Sequence, residues 1–269
     1  MNTTYPVRIG VQIRPQHGTY RDIRKAAVTA EELGVDVIFN WDHFFPLSGD
    51  PDGTNFECWT MLASFAEVTE QVEIGALVTC YSYRNGHLLA DMARTVDHIS
   101  EGRLILGLGA GWYDRDYHEY EYPFGTFGTR LRDFEAGLYR INRRLGLLNP
   151  PPVRDIPVLI GGMGEKHTLR LAGKYADIWH GFGNAETLIR KNRILDEWCR
   201  VAGRDPSEVE RSIAAELPLS GSSREAAESV EQADGLVEAG ATLITLAVDG
   251  PDYDFTTVQE WLNWRDSTR

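Results

Sequence analysis

Three observations predict an α/β chain whose parallel strands close into a barrel. The apolar period switches eight times between short β-rich runs and helix-like stripes. The β-rich runs are apolar nearly throughout, as strands covered on both faces are. The chain's 269 residues lie near the ~250 typical of such barrels. A doubly wound dinucleotide fold would carry GxGxxG after its first strand, where this chain reads IRPQHGTY. The expected architecture is a (β/α)8 TIM barrel, a single domain over residues 1–269, with extended loops at the C-terminal face.

In chain order, VRIGVQI (7–13) is the first strand. Ile23, Ala26, Ala27, Ala30 and Leu33 then recur at helical spacing, and Gly34 follows where a helix end favours glycine. VDVIF (35–39) is the second strand, a helix covers roughly 55–69, and VEIGALV (72–78) is the third strand. Leu88, Leu89, Met92, Ala93, Val96 and Ile99 mark one face of the next helix, which stops at Gly102. RLILGLG (103–109) is the fourth strand, and a helix over roughly 130–145 follows. The strand PVLIGG (157–162) leads to a helix near 165–175, then to DIWHGF (177–182) and a helix at 186–202. RSIAAEL (211–217), a helix at 224–239, the strand TLITLAV (242–248) and a helix near 256–266 complete the series. No linker and no low-complexity segment interrupts it.

At 42% apolar and 25% charged residues, the composition is that of an ordinary soluble protein. No apolar run reaches the roughly 18–20 residues that cross a bilayer. The start, MNTTYPVRIG, lacks the basic-then-apolar layout of a signal peptide, so the expected location is cytoplasmic. Cys58, Cys80 and Cys199 form no CxxC pair and are expected as buried thiols. A net charge of −13 opposes binding along nucleic acid or on an anionic membrane. Any phosphate must therefore be held locally. The histidines show no HExxH spacing, there is no GxSxG, and no metal site is expected.

Two long loops follow strands, 41–54 and 110–129, and in a barrel both lie on the C-terminal face where barrel enzymes keep their chemistry. The first begins with Asp42 and His43. Either Asp42 caps a turn and His43 packs on Phe44 and Phe45, or the carboxylate meets a bound ring and the imidazole exchanges a proton near neutral pH. IGGMGEKHTLRLA (160–172) breaks a strand into Gly161, Gly162 and Gly164 before a helix. That is an ordinary glycine turn or an anion cradle of free N–H groups. GLGAGW (107–112) leaves room above the barrel or packs tightly, and Trp112 is a flat wall or core.

These residues also carry a family likeness. NGHLLADMARTVDHISEGRLILGLGAGW (85–112), DHFFPL (42–47) and IPVLIGGMGEKHTLRLAGKYADIW (156–179) occur in the right order. The chain resembles the luciferase-like monooxygenase superfamily over nearly its whole length, and within it the branch that uses the deazaflavin coenzyme F420. Relatives with FMN share much of this frame, so FMN is the alternative cofactor. The resemblance implies a barrel holding the deazaflavin across its mouth, with hydride carried at ring carbon C5. It implies that Asp42 touches the polar edge of the ring and that His43 stands beside the substrate as proton donor. Ala76 and Leu77 fall where the family often has a non-proline cis peptide against the ring, and Thr79 where a residue hydrogen-bonds it. Ala110, Gly111 and Arg115 match cofactor contacts, and Gly161, Gly162, Gly164 and Glu165 match the phosphate turn. Arg115 and Arg170 add positive charge.

The chain departs from the branch's sugar-phosphate dehydrogenases at two positions. Leu47 replaces a tryptophan, and Trp112 replaces a catalytic glutamate. The resemblance then implies a small organic substrate that is uncharged or aromatic-like, rather than a sugar phosphate. The light-emitting members' long insertion is missing. The leading expectation is an F420-dependent oxidoreductase transferring hydride between the deazaflavin and a small-molecule substrate. The alternatives are an FMN-dependent monooxygenase using reduced flavin and oxygen, and a non-catalytic F420-binding protein. An F420 or flavin reductase is the expected indirect partner. Relatives commonly dimerise, so a homodimer is expected.

Overall fold

A computed structural model describes residues 5–215 and 229–268. Its strands are β1 (Arg8–Ile13), β2 (Val37–Asn40), β3 (Glu73–Ala76), β4 (Thr79–Cys80), β5 (Leu104–Gly109), β6 (Val158–Gly161), β7 (Ile178–Phe182), β8 (Glu210–Ala214) and β9 (Leu243–Val248). The helices are α1 (Tyr20–Glu32), α2 (Cys58–Val68), α3 (Gly86–Ile99), α4 (Asp114–Glu119), α5 (Phe127–Leu145), α6 (Thr168–Tyr175), α7 (Ala185–Val201), α8 (Ala233–Glu238) and α9 (Thr256–Thr268). The order around the sheet is β3-β2-β1-β9-β8-β7-β6-β5-β4, and β3 also pairs with β5. All these pairings are parallel, so the sheet closes. β3 and β4 are two pieces of one stave, which makes the predicted eight.

The expected third strand is therefore broken. The peptide Leu77–Val78 is cis, one residue beyond the Ala76–Leu77 position that the family resemblance implied. The correction follows from the ladder: Leu77 N–H still donates to Asn40 O at 2.8 Å, and Gln12 Nε2 donates to Leu77 O at 2.8 Å. The chain leaves the sheet only after Leu77. Neighbouring staves make room with glycine. A methyl group on Gly107 would overlap the Ala76 carbonyl, and one on Gly109 or Gly161 would lie 2.6 or 2.8 Å from Val78.

Alternation along the strands sorts the interior from the exterior. Val37, Phe39, Ile105, Leu159, Ile178 and Leu243 fill the barrel and meet Leu77 and Val78 above them. The opposite strand faces pack on the helices in a second, larger core. At the N-terminal end the first residues of three strands form a charged plug. Arg8 reaches Glu73 at 2.5 Å and Glu210 at 2.6 Å, and Arg154 joins Glu73 at 2.6 Å.

α1 buries the predicted Ile23, Ala26, Ala27 and Ala30, and Thr19 with Asp22 forms a capping box at its start. On α3 the expected stripe is rotated. Leu89, Ala90, Ala93 and Val96 are buried, whereas Leu88 and Ile99 are exposed because the helix turns its Ala90 side to the barrel. The 110–129 loop is not all loop. α4 occupies its middle, and α5 starts at Phe127, capped by Thr126 and Thr129. Residues 216–217 of the expected seventh strand and 224–228 of the following helix lie outside the described residues.

Gly107→Ala tests the glycine vacancy. Overpacking against the Ala76 carbonyl is expected to cost about 1–3 kcal/mol or more, read as a lower urea midpoint at unchanged slope.

Candidate active site

Both loops that the sequence places on the C-terminal face meet there. Asp42 lies two residues past β2 and is 2% exposed. Its carboxylate accepts from Arg84 Nη1 at 2.5 Å and Nη2 at 2.8 Å, and from the Cys80 N–H at 2.9 Å. Burial works against the charge on Arg84, but Asp42 and Glu57 more than offset it and hold the guanidinium ionised. Its oxygens are turned into the wall, where they anchor the loop.

His43 is placed differently. Its Nδ1 lies 2.7 Å from Asp116 Oδ2, and Asp116 is completely buried. The same carboxylate accepts from Tyr83 O–H at 2.9 Å and from Phe44 N–H at 3.0 Å. The imidazole is thereby fixed in orientation with Nε2 on the opposite side. Around it stand Trp41, Trp112 and Tyr113, edge-on at 5.7, 5.7 and 5.5 Å between centroids. A carboxylate locks the tautomer and the ring, and the other nitrogen is left to handle a proton. Asp116 went unrecognised in the sequence. No local periodicity marks it: Asp116 and Tyr117, the two buried residues of α4, are adjacent in the chain. Burial raises the Tyr83 phenol well above its ordinary range, with Cys80 and Asp116 adding to the effect, and pushes the Cys80 thiol up to about 11. Both are neutral donors at neutral pH.

The remaining predicted residues divide. Thr79 is fully buried and its hydroxyl has no partner among the described residues. The broken stave, with Ala76 buried and Leu77 half-buried, lies beside it. Ala110 and Gly111 close β5, and Gly111 has φ +79°. Its carbonyl accepts from Arg130. Trp112 is 63% exposed, a wall of the mouth and not core, and Leu47 is half-buried with its N–H on Gln16. Arg115 is engaged by the loop after β2. It pairs with Asp52 at 2.5 Å, donates to Pro51 O and lies 3.9 Å above the Phe45 ring, tying the two long loops together. Arg170 forks onto Glu135 on α5.

Past β6, Gly162 takes φ +132°, and Gly162 and Gly164 lead the chain towards α6. Trp179 and Trp198 hold the carbonyls of Gly162 and Glu165, and Lys191 holds that of Met163. The N–H groups of Met163, Gly164 and Glu165 have no partner among the described residues. A cavity of about 470 Å³ at this turn is lined by Gly164, Glu165, Lys166, His167, Arg190 and Lys191, among others. The Glu165 carboxylate is held below its ordinary range, chiefly by the hydrogen bond from Lys191 and then by Arg190. Arg190 and Lys191 are both paired with Glu165, which leaves the free N–H groups and Lys166 as the groups here that could meet an anion. Lys166, Arg190 and Lys191 were not singled out in the sequence, because two of them sit on α7, far along the chain.

The residues fit a tricyclic redox ring with a phosphate-bearing tail. An orphaned buried hydroxyl at Thr79 lies on one side, and the glycine turn with its free N–H groups lies on another.

Comparison with known proteins bears on this geometry. A sequence profile described as luciferase-like monooxygenase matches residues 1–239. The chain belongs to the luciferase-like monooxygenase family. An uncharacterized protein of Mycobacterium tuberculosis is 26% identical over 180 residues, covering 60% of this chain and 64% of that one. The chain thus spans a little under two thirds of that relative. An F420-dependent glucose-6-phosphate dehydrogenase of Mycolicibacterium gilvum is 24% identical over 237 residues, 78% of this chain and 68% of that protein. Among solved structures, an F420-dependent secondary alcohol dehydrogenase in complex with an F420-acetone adduct superposes with a TM-score of 0.85 at 18% identity. It covers 98% of this chain and 99% of that one. The oxygenating constituent of 3,6-diketocamphane monooxygenase from Pseudomonas putida, with FMN, gives 0.72 at 16% identity over 95% and 96%. These two likenesses establish the (β/α)8 barrel.

Two predictions follow for this luciferase-like chain. Asp116→Ala strands the Phe44 N–H and Tyr83 O–H in a buried place, at a cost of about 1–3 kcal/mol for each, read by urea unfolding. His180, on β7, points into the barrel. It shares a hydrogen bond with Ser212 at 2.8 Å, and burial lowers its pKa to about 4. Its folded pKa lies below the unfolded value, so its contribution is complete above about pH 6.5 and declines as pH falls towards 4. His180→Gln should flatten that part of the stability–pH curve by roughly 3 kcal/mol relative to the parent.

Proposed function

We propose that this protein is a coenzyme F420-dependent oxidoreductase that moves hydride between the deazaflavin and a small organic molecule uncharged at its reacting end. The observation that carries this reading is His43, locked by the buried Asp116 and walled by Trp41, Trp112 and Tyr113. It stands at the same barrel mouth as the Gly162–Gly164 turn and its basic lining. The relatives named for F420 supply the choice of cofactor.

Bound there, the deazaflavin would supply a hydride donor or acceptor. The chain's own part is to hold and to protonate. Thr79 and the backbone beside the broken stave would meet the ring. The N–H groups of 163–165, with Lys166, would hold the phosphate. His43 Nε2 would give a proton to a carbonyl oxygen as it gains hydride, or take one from an alcohol in reverse. The Asp116 carboxylate steadies the imidazolium formed in that direction. A buried carboxylate acting through an imidazole therefore serves the mouth even though Trp112 stands where the sugar-phosphate dehydrogenases have a glutamate.

Titrating the apo-protein with F420 and, separately, with FMN decides the cofactor. F420 fluorescence should change on binding. Tight FMN binding with no F420 signal would transfer the assignment to a flavin monooxygenase. His43→Ala should leave F420 affinity within a few-fold and lower turnover with ketone or secondary-alcohol substrates by about 10²–10⁴. Unchanged turnover would remove His43 from the chemistry.

A further inference from the structure

Three neighbouring staves, β2, β1 and β9, each end one residue short of a large polar or aromatic side chain: Trp41, Arg14 and Asp249. Each is in phase with inward-facing residues of its strand, Phe39 on β2, Gln12 on β1 and Leu243 on β9. They come together at the rim. Arg14 Nη1 meets Asp249 at 2.9 and 3.2 Å, and its guanidinium carbon lies 5.5 Å from the Trp41 centroid. Trp41 is also edge-on to His43 at 5.7 Å. One indole thus neighbours both the cation and the imidazole.

The guanidinium is only partly used. Among the described residues Arg14 donates through Nη1 alone, and its Nε is buried without a partner. Nη2 has no partner among the described residues and is not one of the buried atoms, so it can donate a charge-assisted hydrogen bond to a carboxylate. Asp249 is on Nη1, and the pair is open to solvent, with side chains 31% and 46% exposed. Such an exposed pair contributes little to stability. A second carboxylate can share the guanidinium without Asp249 leaving.

We infer that Arg14 is a recognition site for a carboxylate on the substrate, placed so that the rest of the molecule crosses Trp41 and brings its reacting carbonyl to His43. A flat oxo-acid with an aromatic body suits a path across the indole. The expectation of a wholly uncharged substrate is revised. The aromatic cage around His43 takes the uncharged reacting end, and the rim takes the acid. The inference names the substrate class for the proposed oxidoreductase and rests on that reading only for the reacting end.

The test uses 4-acetylbenzoate and its methyl ester as probes, with binding followed by calorimetry with and without saturating F420. F420 binding itself is read separately by deazaflavin fluorescence. The parent should bind the acid on the order of tenfold or more tighter than the ester. Arg14→Met should abolish that preference, Arg14→Lys should restore part of it, and Asp249→Asn should increase it by removing a competing charge. Thermal melts of each variant report folding, and Asp249→Asn tests the same site while leaving Arg14 in place. Equal affinity for acid and ester, a preference insensitive to Arg14→Met, or no binding of either probe at millimolar concentration would overturn the inference. A preference that follows Arg14 in a protein that does not bind F420 would uphold the carboxylate site and remove the cofactor reading instead.

Discussion

The mouth of this barrel is organised by one buried carboxylate. Asp116 ties together three stretches of chain that are far apart in sequence. His43 and Phe44 follow β2, Tyr83 follows β4, and Asp116 itself sits on α4 after β5. A buried carboxylate is costly unless its lone pairs are filled, and here the filling groups are also those that must be held still. The orientation of His43, the seat of the loop after β2 and the stacking of Phe44 on Tyr120 all follow from it. The neighbouring Asp42–Arg84 pair does the same for the other side of that loop.

Much of the barrel was legible because its cause is local. The alternation of strand runs and helical stripes follows from burial on both faces of a parallel sheet, and a single residue rarely alters it. The interruption at Leu77–Val78 was not legible as a break, because VEIGALV reads as continuous β-rich sequence. Its cause lies on β5 and β6, where Gly107, Gly109 and Gly161 leave the space. The misplaced stripe on α3 has a similar origin. Leu88 satisfies a periodic template, yet the packed face is set by small residues such as Ala90 and Ala93, which let the helix approach.

The site divides along the same line. His43 and the glycine turn stood out because a titratable pair at a strand end and a glycine cluster before a helix are unusual in short windows. Asp116, Arg14 and Lys191 did not, since their roles depend on partners 73, 235 and 26 residues away. Asp42 and Arg115 were conspicuous in sequence, but their partners were not: Asp42 serves an internal ion pair and a backbone N–H, and Arg115 clasps two loops. Charged residues near a mouth carry no mark in the sequence that separates those that face inward from those that fasten the rim.

The opposite end of the barrel has its own consequence. Arg8, Glu73, Glu210 and Arg154 stopper the interior with interlocked charges, above which Val37, Phe39 and their neighbours leave no passage. Among the described residues this end offers no way through. Under the proposed function, cofactor and substrate would therefore share the opposite face, and whatever lay deepest would have to leave last.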